Sequence, residues 1–76
     1  MRNWSDVPAQ LIWIDYQGAR RNMGGPIAPG GVKEIQSFPG RVYVAYAARG
    51  ASYQLMVNYK CLWYVNEGDN FAAISG

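Results

Sequence analysis

Arg41 and Tyr43 are the side chains whose types and spacing first suggest chemistry, because they alternate with Val42 and Val44 and therefore share one face of a strand. A phenol offers a flat apolar face with a polar edge. A guanidinium donates hydrogen bonds to carboxylate or carbonyl oxygens. A cation beside an aromatic ring on one face of a strand is suited to binding a ligand, so we ask which other residues would join these two.

The sequence lacks catalytic and metal-binding constellations. It has no histidine and one cysteine, Cys61, so neither a histidine-based triad nor a zinc ligand set can form within the chain. Glu67 and Asp69 are its one close acidic pair, and they fall in the stretch NEGDN, where a turn explains them better than a calcium loop does. We expect a non-enzymatic protein without metal or cofactor. Cys61, inside the apolar stretch YKCLWYV, is expected to be buried.

The composition predicts one small folded domain over residues 1–76. Apolar residues make up 50% of the chain and charged residues 16%, which is typical of a packed core. The net charge of +2 comes from scattered basic residues and is too weak for a nucleic-acid interface. No apolar run is long enough for a signal peptide or a membrane span. We expect a soluble domain with no nucleic-acid or membrane partner, and its compartment is not indicated.

Frequent glycine and proline residues leave few windows of helix length, which predicts an all-β fold. Strands are predicted in AQLIWIDYQG, VKEIQSF, RVYVAYAA, YQLMVN, YKCLWYV and FAAIS, turns in FPGR, RGAS and NEGDN, and a loop in ARRNMGGPIAPGG. Pro39 and Gly40 in FPGR match a type II turn, so VKEIQSF and RVYVAYAA are expected to form a hairpin. Six to seven short strands predict a small antiparallel β-sandwich.

Alternation of side chains assigns the two faces of the strand RVYVAYAA. Val42, Val44 and Tyr46 share one face, and Arg41 and Tyr43 share the other. We expect the valine face to pack in the core and the opposite face to display a cation beside an aromatic ring. The candidate binding residues are thereby predicted to lie on an outer surface of the sheet.

Several short motifs follow one another along the chain, namely NWS, WIDYQG, IAPGG, IQSFPGRVY, LMVN and FAAI. In order and spacing they resemble the β domain of the von Hippel-Lindau tumour suppressor family. That family has an Asn-x-Ser motif, a Trp-x-Asn/Asp-aromatic-x-Gly strand, a Pro-Gly loop, an Ile-x-Ser-aromatic-x-Gly hairpin and a Leu-x-Val-Asn strand. The resemblance implies a small β-sandwich that binds an extended peptide along a sheet edge and seats a hydroxylated proline in a shallow aromatic pocket.

The same resemblance implies roles for the candidate residues. Trp13 matches the pocket tryptophan, and Ser37 matches the serine that bonds to the hydroxyl group of the ligand. Tyr43 replaces a second tryptophan, Arg41 replaces a histidine, and the position of the pocket tyrosine, near Met23, holds no aromatic residue. Because arginine only donates hydrogen bonds, we do not expect selectivity for hydroxyproline. A ligand that brings a carboxylate or carbonyl oxygen to Arg41 is expected instead.

The chain departs from the family at both ends. The helical domain that recruits elongin has no counterpart after Gly76, so no elongin binding is expected. The first strand of the family, upstream of Asn3, has no counterpart either, which predicts an exposed sheet edge. The predicted partners are therefore a peptide or protein ligand and, through that edge, a second copy of the chain.

Two alternatives to peptide binding account for the same residues. In a structural or self-associating domain, Trp13 packs at the rim of the core, Ser37 forms a local bond and Arg41 is a solvated charge at an edge. In a carbohydrate-binding sandwich, Trp13 and Tyr43 form a flat stacking platform. A concave or a flat arrangement of these aromatic residues would distinguish the hypotheses.

Overall fold

A computed structural model describes residues 1–48, 53–69 and 71–76. These residues form seven short strands: β1 (Arg2–Asn3), β2 (Ala9–Ile14), β3 (Arg20–Asn22), β4 (Val42–Ala47), β5 (Gln54–Val57), β6 (Trp63–Tyr64) and β7 (Ala73–Ser75). No helix occurs among them, so the prediction of an all-β fold is confirmed. The predicted turn RGAS, at 49–52, lies outside the described residues. A search of the described residues found no helix of the length and apolarity needed to cross a bilayer.

The strands form one curled sheet in the order β1-β7-β5-β4-β2-β3, and β6 pairs with the first half of β4. All described pairs of strands are antiparallel except β1 with β7. β4 is the central strand, because β2 covers the whole of one edge while β5 and β6 share the other. The sheet is curled like half of a barrel. The two packed layers of a sandwich are not confirmed.

The motif WIDYQG closes the hairpin between β2 and β3. Asp15 Oδ1 accepts backbone N–H groups within the turn, including that of Ala19 at 2.8 Å, and Gly18 has a φ of +82°. Arg21 Nε donates to Asp15 Oδ2 at 2.9 Å across the hairpin. The prediction of a loop from residue 19 onwards was therefore wrong for β3. The Asp15 turn brings the chain back along β2 before the glycine-rich segment begins.

The type II turn in FPGR is present, but the hairpin predicted from it is not. Gly40 has a φ of +93°, and the Arg41 N–H donates to the Phe38 carbonyl at 3.3 Å. Residues 32–38 cannot pair with β4 because both edges of β4 are occupied. Residues 30–33 instead run along β1, where the Lys33 N–H donates to the Met1 carbonyl at 2.8 Å. Within the described part of the chain, residues 34–37 form no backbone hydrogen bond.

The core lies on the face of the sheet that carries Tyr43, so the faces predicted for β4 were reversed. Tyr43 is 0% exposed, whereas Val42 and Tyr46 are half-buried and Val44 is buried outside the main cluster. The sequence of β4 is apolar on both faces, so alternation could not decide which one is internal. The interior of the curled sheet takes the larger ring, and Tyr43 packs there against Trp63 with ring centroids 5.8 Å apart. The core cluster consists of Ala9, Leu11, Ile27, Tyr43, Ala45, Leu55, Val57, Trp63, Val65, Ala72 and Ile74.

Cys61 is exposed, so the prediction of a buried thiol was wrong. The stretch YKCLWYV is not one continuous strand. Asn58 and Tyr59 have φ values of +50° and +63°, and the Lys60 N–H donates to the Val57 carbonyl at 3.0 Å. This tight turn places Cys61 outside the sheet, and the strand resumes only at β6.

Candidate functional site

The four predicted binding residues lie together at the start of β4. Trp13 on β2 is directly opposite Tyr43 on β4, so both side chains are on the same face of the sheet. The guanidinium carbon of Arg41 is 4.3 Å from the centroid of the Trp13 ring. The Tyr43 hydroxyl donates to Ser37 Oγ at 2.9 Å. The structure thus brings the four side chains together, and their binding of a ligand stays a prediction.

Arg41 contacts a second aromatic ring, that of Phe38, with 5.0 Å between the guanidinium carbon and the ring centroid. We call Trp13, Phe38 and Arg41 the arginine stack. Contacts of this kind contribute about 0.5 to 2 kcal/mol. Among the residues that the structure describes, the Arg41 side chain has no ion pair and donates no hydrogen bond. Its N–H groups therefore remain available for a ligand oxygen.

Phe38 was missed as a site residue by the sequence analysis. It is the aromatic residue that follows Ser37 in the motif IQSFPGRVY, and it is 54% exposed. The type II turn at Pro39 and Gly40 reverses the chain, which brings Phe38 back against Arg41. The aromatic position of the motif was the available signal.

Tyr43 supports the site and does not face a ligand, which corrects its predicted exposure. A buried phenol hydroxyl requires a partner, and Ser37 Oγ supplies the acceptor. The Ser37 hydroxyl hydrogen is then left to donate elsewhere, and Ser37 itself is half-buried. Tyr43 therefore positions the Ser37 hydroxyl at the edge of the core.

The glycine-rich loop near Met23 is fixed by Lys33. Met23 packs against the core, and Lys33 Nζ donates to the carbonyl groups of Met23 and, at 3.3 Å, of Gly25. Gly24 has a φ of +87°, and a Cβ atom placed on it would lie 2.7 Å from Lys33 Nζ. The loop at the position of the family's pocket tyrosine thus has a definite conformation that requires glycine.

The NWS motif has a structural role. Asn3 is 0% exposed, and its Nδ2 donates to the carbonyl groups of Val7 at 2.8 Å and Ile27 at 2.9 Å. Its Oδ1 accepts the Ser5 hydroxyl at 2.6 Å. All polar atoms of the Asn3 side chain are satisfied inside the fold, so Asn3 belongs to the core and not to the candidate site.

A cavity of about 360 Å³ opens next to Ser37. The buried side chains of Trp63 and Ala72 line it, and the exposed carboxylate residues Glu34 and Asp69 border it. No residue of the arginine stack is among the described residues that line this cavity. The candidate site therefore has two parts, the arginine stack and the cavity. Ser37 lines the cavity, and the next residue in the chain, Phe38, belongs to the arginine stack.

A comparison with protein-family models and a search of curated proteins each gave no match to this chain. The resemblance to the von Hippel-Lindau β domain therefore depends on the motifs of the sequence alone. The peptide-binding role that it implies is a proposal, and its support comes from the geometry of the arginine stack.

Proposed function

We propose that this protein is a non-enzymatic module that binds an extended peptide and that Arg41 receives a carboxylate or carbonyl oxygen of that ligand. The observation that supports this most directly is the set of contacts that the Arg41 guanidinium makes. It is stacked on Trp13 and Phe38, yet within the described ranges its N–H groups have no acceptor. A planar donor held in this way is suited to bidentate recognition of a carboxylate.

Residues 34–37 supply the path for the peptide backbone. Their N–H and carbonyl groups form no hydrogen bond with the rest of the described chain. An extended peptide can pair with such a segment as an added strand. Because Ser37 ends this segment and Phe38 follows it, one side chain of the bound peptide would lie near the arginine stack.

Selectivity for hydroxyproline is not part of the proposal. Arg41 cannot accept a hydrogen bond from a hydroxyl group, and Tyr43 is buried and cannot form a wall of an exposed pocket. The loop near Met23 and Gly24, where the family that the motifs resemble has a tyrosine, holds no aromatic residue. We therefore expect equal affinity for peptides that differ only in the hydroxylation of one proline.

The test is calorimetric titration with two pairs of short peptides. The peptides of one pair are identical except that one has glutamate where the other has glutamine, and those of the second pair differ in the same way in proline and hydroxyproline. We expect the glutamate peptide to bind about tenfold more tightly than the glutamine peptide, since a charge-assisted pair contributes about 1.5 kcal/mol or more. The Arg41→Met variant keeps an apolar side chain without the charge, so it should bind the glutamate and glutamine peptides with equal affinity.

Arg20→Met is the matched control, because Arg20 also contacts an aromatic ring, that of Tyr46, at 5.7 Å. Arg20 lies opposite Ile14, on the face away from Trp13, so its loss should leave peptide binding unchanged. The proposal would be contradicted if no peptide bound or if Arg41→Met bound the glutamate peptide as tightly as the unaltered protein.

Self-association is the second candidate function, and exposed aromatic residues favour it. Trp4, Tyr16, Tyr59, Tyr64 and Phe71 are all more than half exposed. Such residues are enriched in protein interfaces. The carbohydrate hypothesis is weaker, because Tyr43 is fully buried and offers no face on which a sugar could stack.

A further inference from the structure

The cavity beside Ser37 combines an apolar floor with an acidic border. Its floor includes Trp63, which is only 7% exposed, together with Val65 and Ala72 from the core. Its volume of about 360 Å³ falls within the range of small-ligand sites. The indole of Trp63 is itself fixed, because it packs on the buried ring of Tyr43. The floor is therefore preformed.

The charged side chains that border the cavity are both carboxylates. Glu34 forms no ion pair or hydrogen bond with any described residue, and Asp69 uses one oxygen, Oδ2, to accept the Asn66 N–H at 2.9 Å. No lysine or arginine is among the described residues that line the cavity. The amino group of Met1, which also borders it, donates to the Lys33 carbonyl at 2.9 Å.

This combination matches the chemistry of a basic side chain. Lysine and arginine bury a methylene stem on apolar surface and keep the cation at the border. Two of the residues that line the cavity, Trp63 and Phe71, are aromatic, and aromatic rings attract cations. A divalent metal ion fits less well, because no cluster of three acidic, histidine or cysteine ligands occurs among the described residues.

We propose that the cavity is a second subsite that takes the side chain of a lysine or arginine from the peptide bound at the arginine stack. This inference rests on the proposed function. The two subsites have opposite charge, since the stack offers a guanidinium and the cavity offers Glu34 and Asp69. The bound peptide would carry an acidic group for Arg41 and a basic group for the cavity, which Ser37 lines directly before Phe38 of the stack.

The experiment uses N-acetylated, N-methylamidated amino acids as probes and reads the indole N–H resonances of the labelled protein. Trp63 reports on the cavity, Trp13 on the arginine stack and Trp4, which is outside both, serves as reference. The capped lysine should shift the Trp63 resonance and not that of Trp13. The capped glutamate should shift the Trp13 resonance and not that of Trp63.

Capped norleucine, which has an apolar stem without the charge, tests the role of the carboxylates. We expect it to bind at Trp63 about threefold or more weakly than capped lysine. The variants Glu34→Gln and Asp69→Asn should each lower the affinity of the protein for capped lysine by about threefold. Glu67→Gln is the matched control, since Glu67 is exposed in the same turn but does not line the cavity.

The outcomes separate this inference from the proposed function. Equal binding of capped lysine and capped norleucine, or no shift of Trp63 with either, would overturn the basic subsite. A loss of binding in Glu67→Gln equal to that in Asp69→Asn would also overturn it, because the effect would then be one of overall charge. Failure of capped glutamate to shift Trp13 would count against the proposed function and not against the cavity.

Discussion

Arg41 and Trp13 were predicted to lie near each other on an outer face of the sheet. The guanidinium does meet Trp13, at 4.3 Å, but on the face of the sheet that also holds the core. The stack is therefore at the border of the core and is anchored by buried neighbours. A donor anchored in this way loses little conformational entropy on binding a ligand.

The bond between Tyr43 and Ser37 gives a prediction at the level of single residues. Tyr43→Phe removes the hydroxyl group that donates a hydrogen bond to Ser37 Oγ. We expect this to lower the free energy of unfolding, measured by urea denaturation, by about 1 kcal/mol. Tyr64→Phe is the control. Because Tyr64 is 57% exposed, this substitution should lower the free energy of unfolding by less than about 0.5 kcal/mol. Equal effects of the two substitutions would contradict a structural role for the Tyr43 hydroxyl.

The β2–β3 hairpin shows which elements the sequence could predict. The β2 strand was expected from the alternation of its side chains, but it was predicted to continue to Gly18, whereas it ends at Ile14 and the Asp15 turn follows. β3 was missed, because its polar sequence RRN has no alternation and its pairing depends on the Asp15 side chain. The strand expected in VKEIQSF failed for another reason, since the edges of β4 were already taken.

Asp15 makes the hairpin sensitive to acid. Its bond with the Arg21 side chain, followed by the Ala19 N–H, lowers the pKa of the Asp15 carboxyl below its ordinary value. A lowered folded-state pKa stabilises the fold above the unfolded-state value of about 3.9, and the contribution is lost as the pH falls through the folded-state value. The free energy of unfolding should therefore fall below about pH 4, and the fall should be larger in the unaltered protein than in the Asp15→Asn variant.

Urea denaturation between about pH 2 and pH 7 measures this effect. Asp6→Asn is the control for the removal of one carboxylate, because Asp6 is exposed and forms no ion pair with a described residue. A pH profile that is the same in Asp15→Asn and in the unaltered protein would show that the Asp15 bonds do not contribute to the hairpin.

The glycine-rich loop gives a second prediction at the level of elements. Gly24→Ala should destabilise the fold by about 1 to 3 kcal/mol, because the backbone there has a φ of +87°, a conformation that residues with a Cβ atom rarely adopt. Gly25→Ala should cost under about 0.5 kcal/mol, since nothing lies within 4 Å of a Cβ at that position. Thermal denaturation of the two variants compares them, and similar losses would contradict the conformation of the loop.

For the whole molecule, the sequence predicted the fold class but not the arrangement of the sheet. Glycine and proline spacing excluded helices, whereas the curl of the sheet depends on long-range pairs such as β1 with β7. The edge beside β1, expected to be open, is covered by residues 30–33 of the same chain. The other edge strand, β3, carries Arg20 and Arg21, which discourage pairing between copies.

The segment 34–37, whose backbone is unpaired within the described part of the chain, links peptide binding to self-association. If copies of the chain pair through this segment, a bound peptide and a second copy compete for the same hydrogen bonds. We expect association at high protein concentration that saturating peptide reverses, measured by sedimentation velocity. A monomer at every concentration would exclude self-association, and an oligomer that peptide leaves intact would place its interface elsewhere.

The most direct test of the account is the side-chain Nε–H resonance of Arg41 during titration with the glutamate peptide. Arg41 is stacked and lacks an acceptor among the described residues, so a bound carboxylate should shift its resonance and slow its exchange with water. The Nε–H resonance of Arg20 should stay in place, because Arg20 lies opposite Ile14, on the face of the sheet away from Trp13. Binding of the peptide with no change at Arg41 would contradict the central claim.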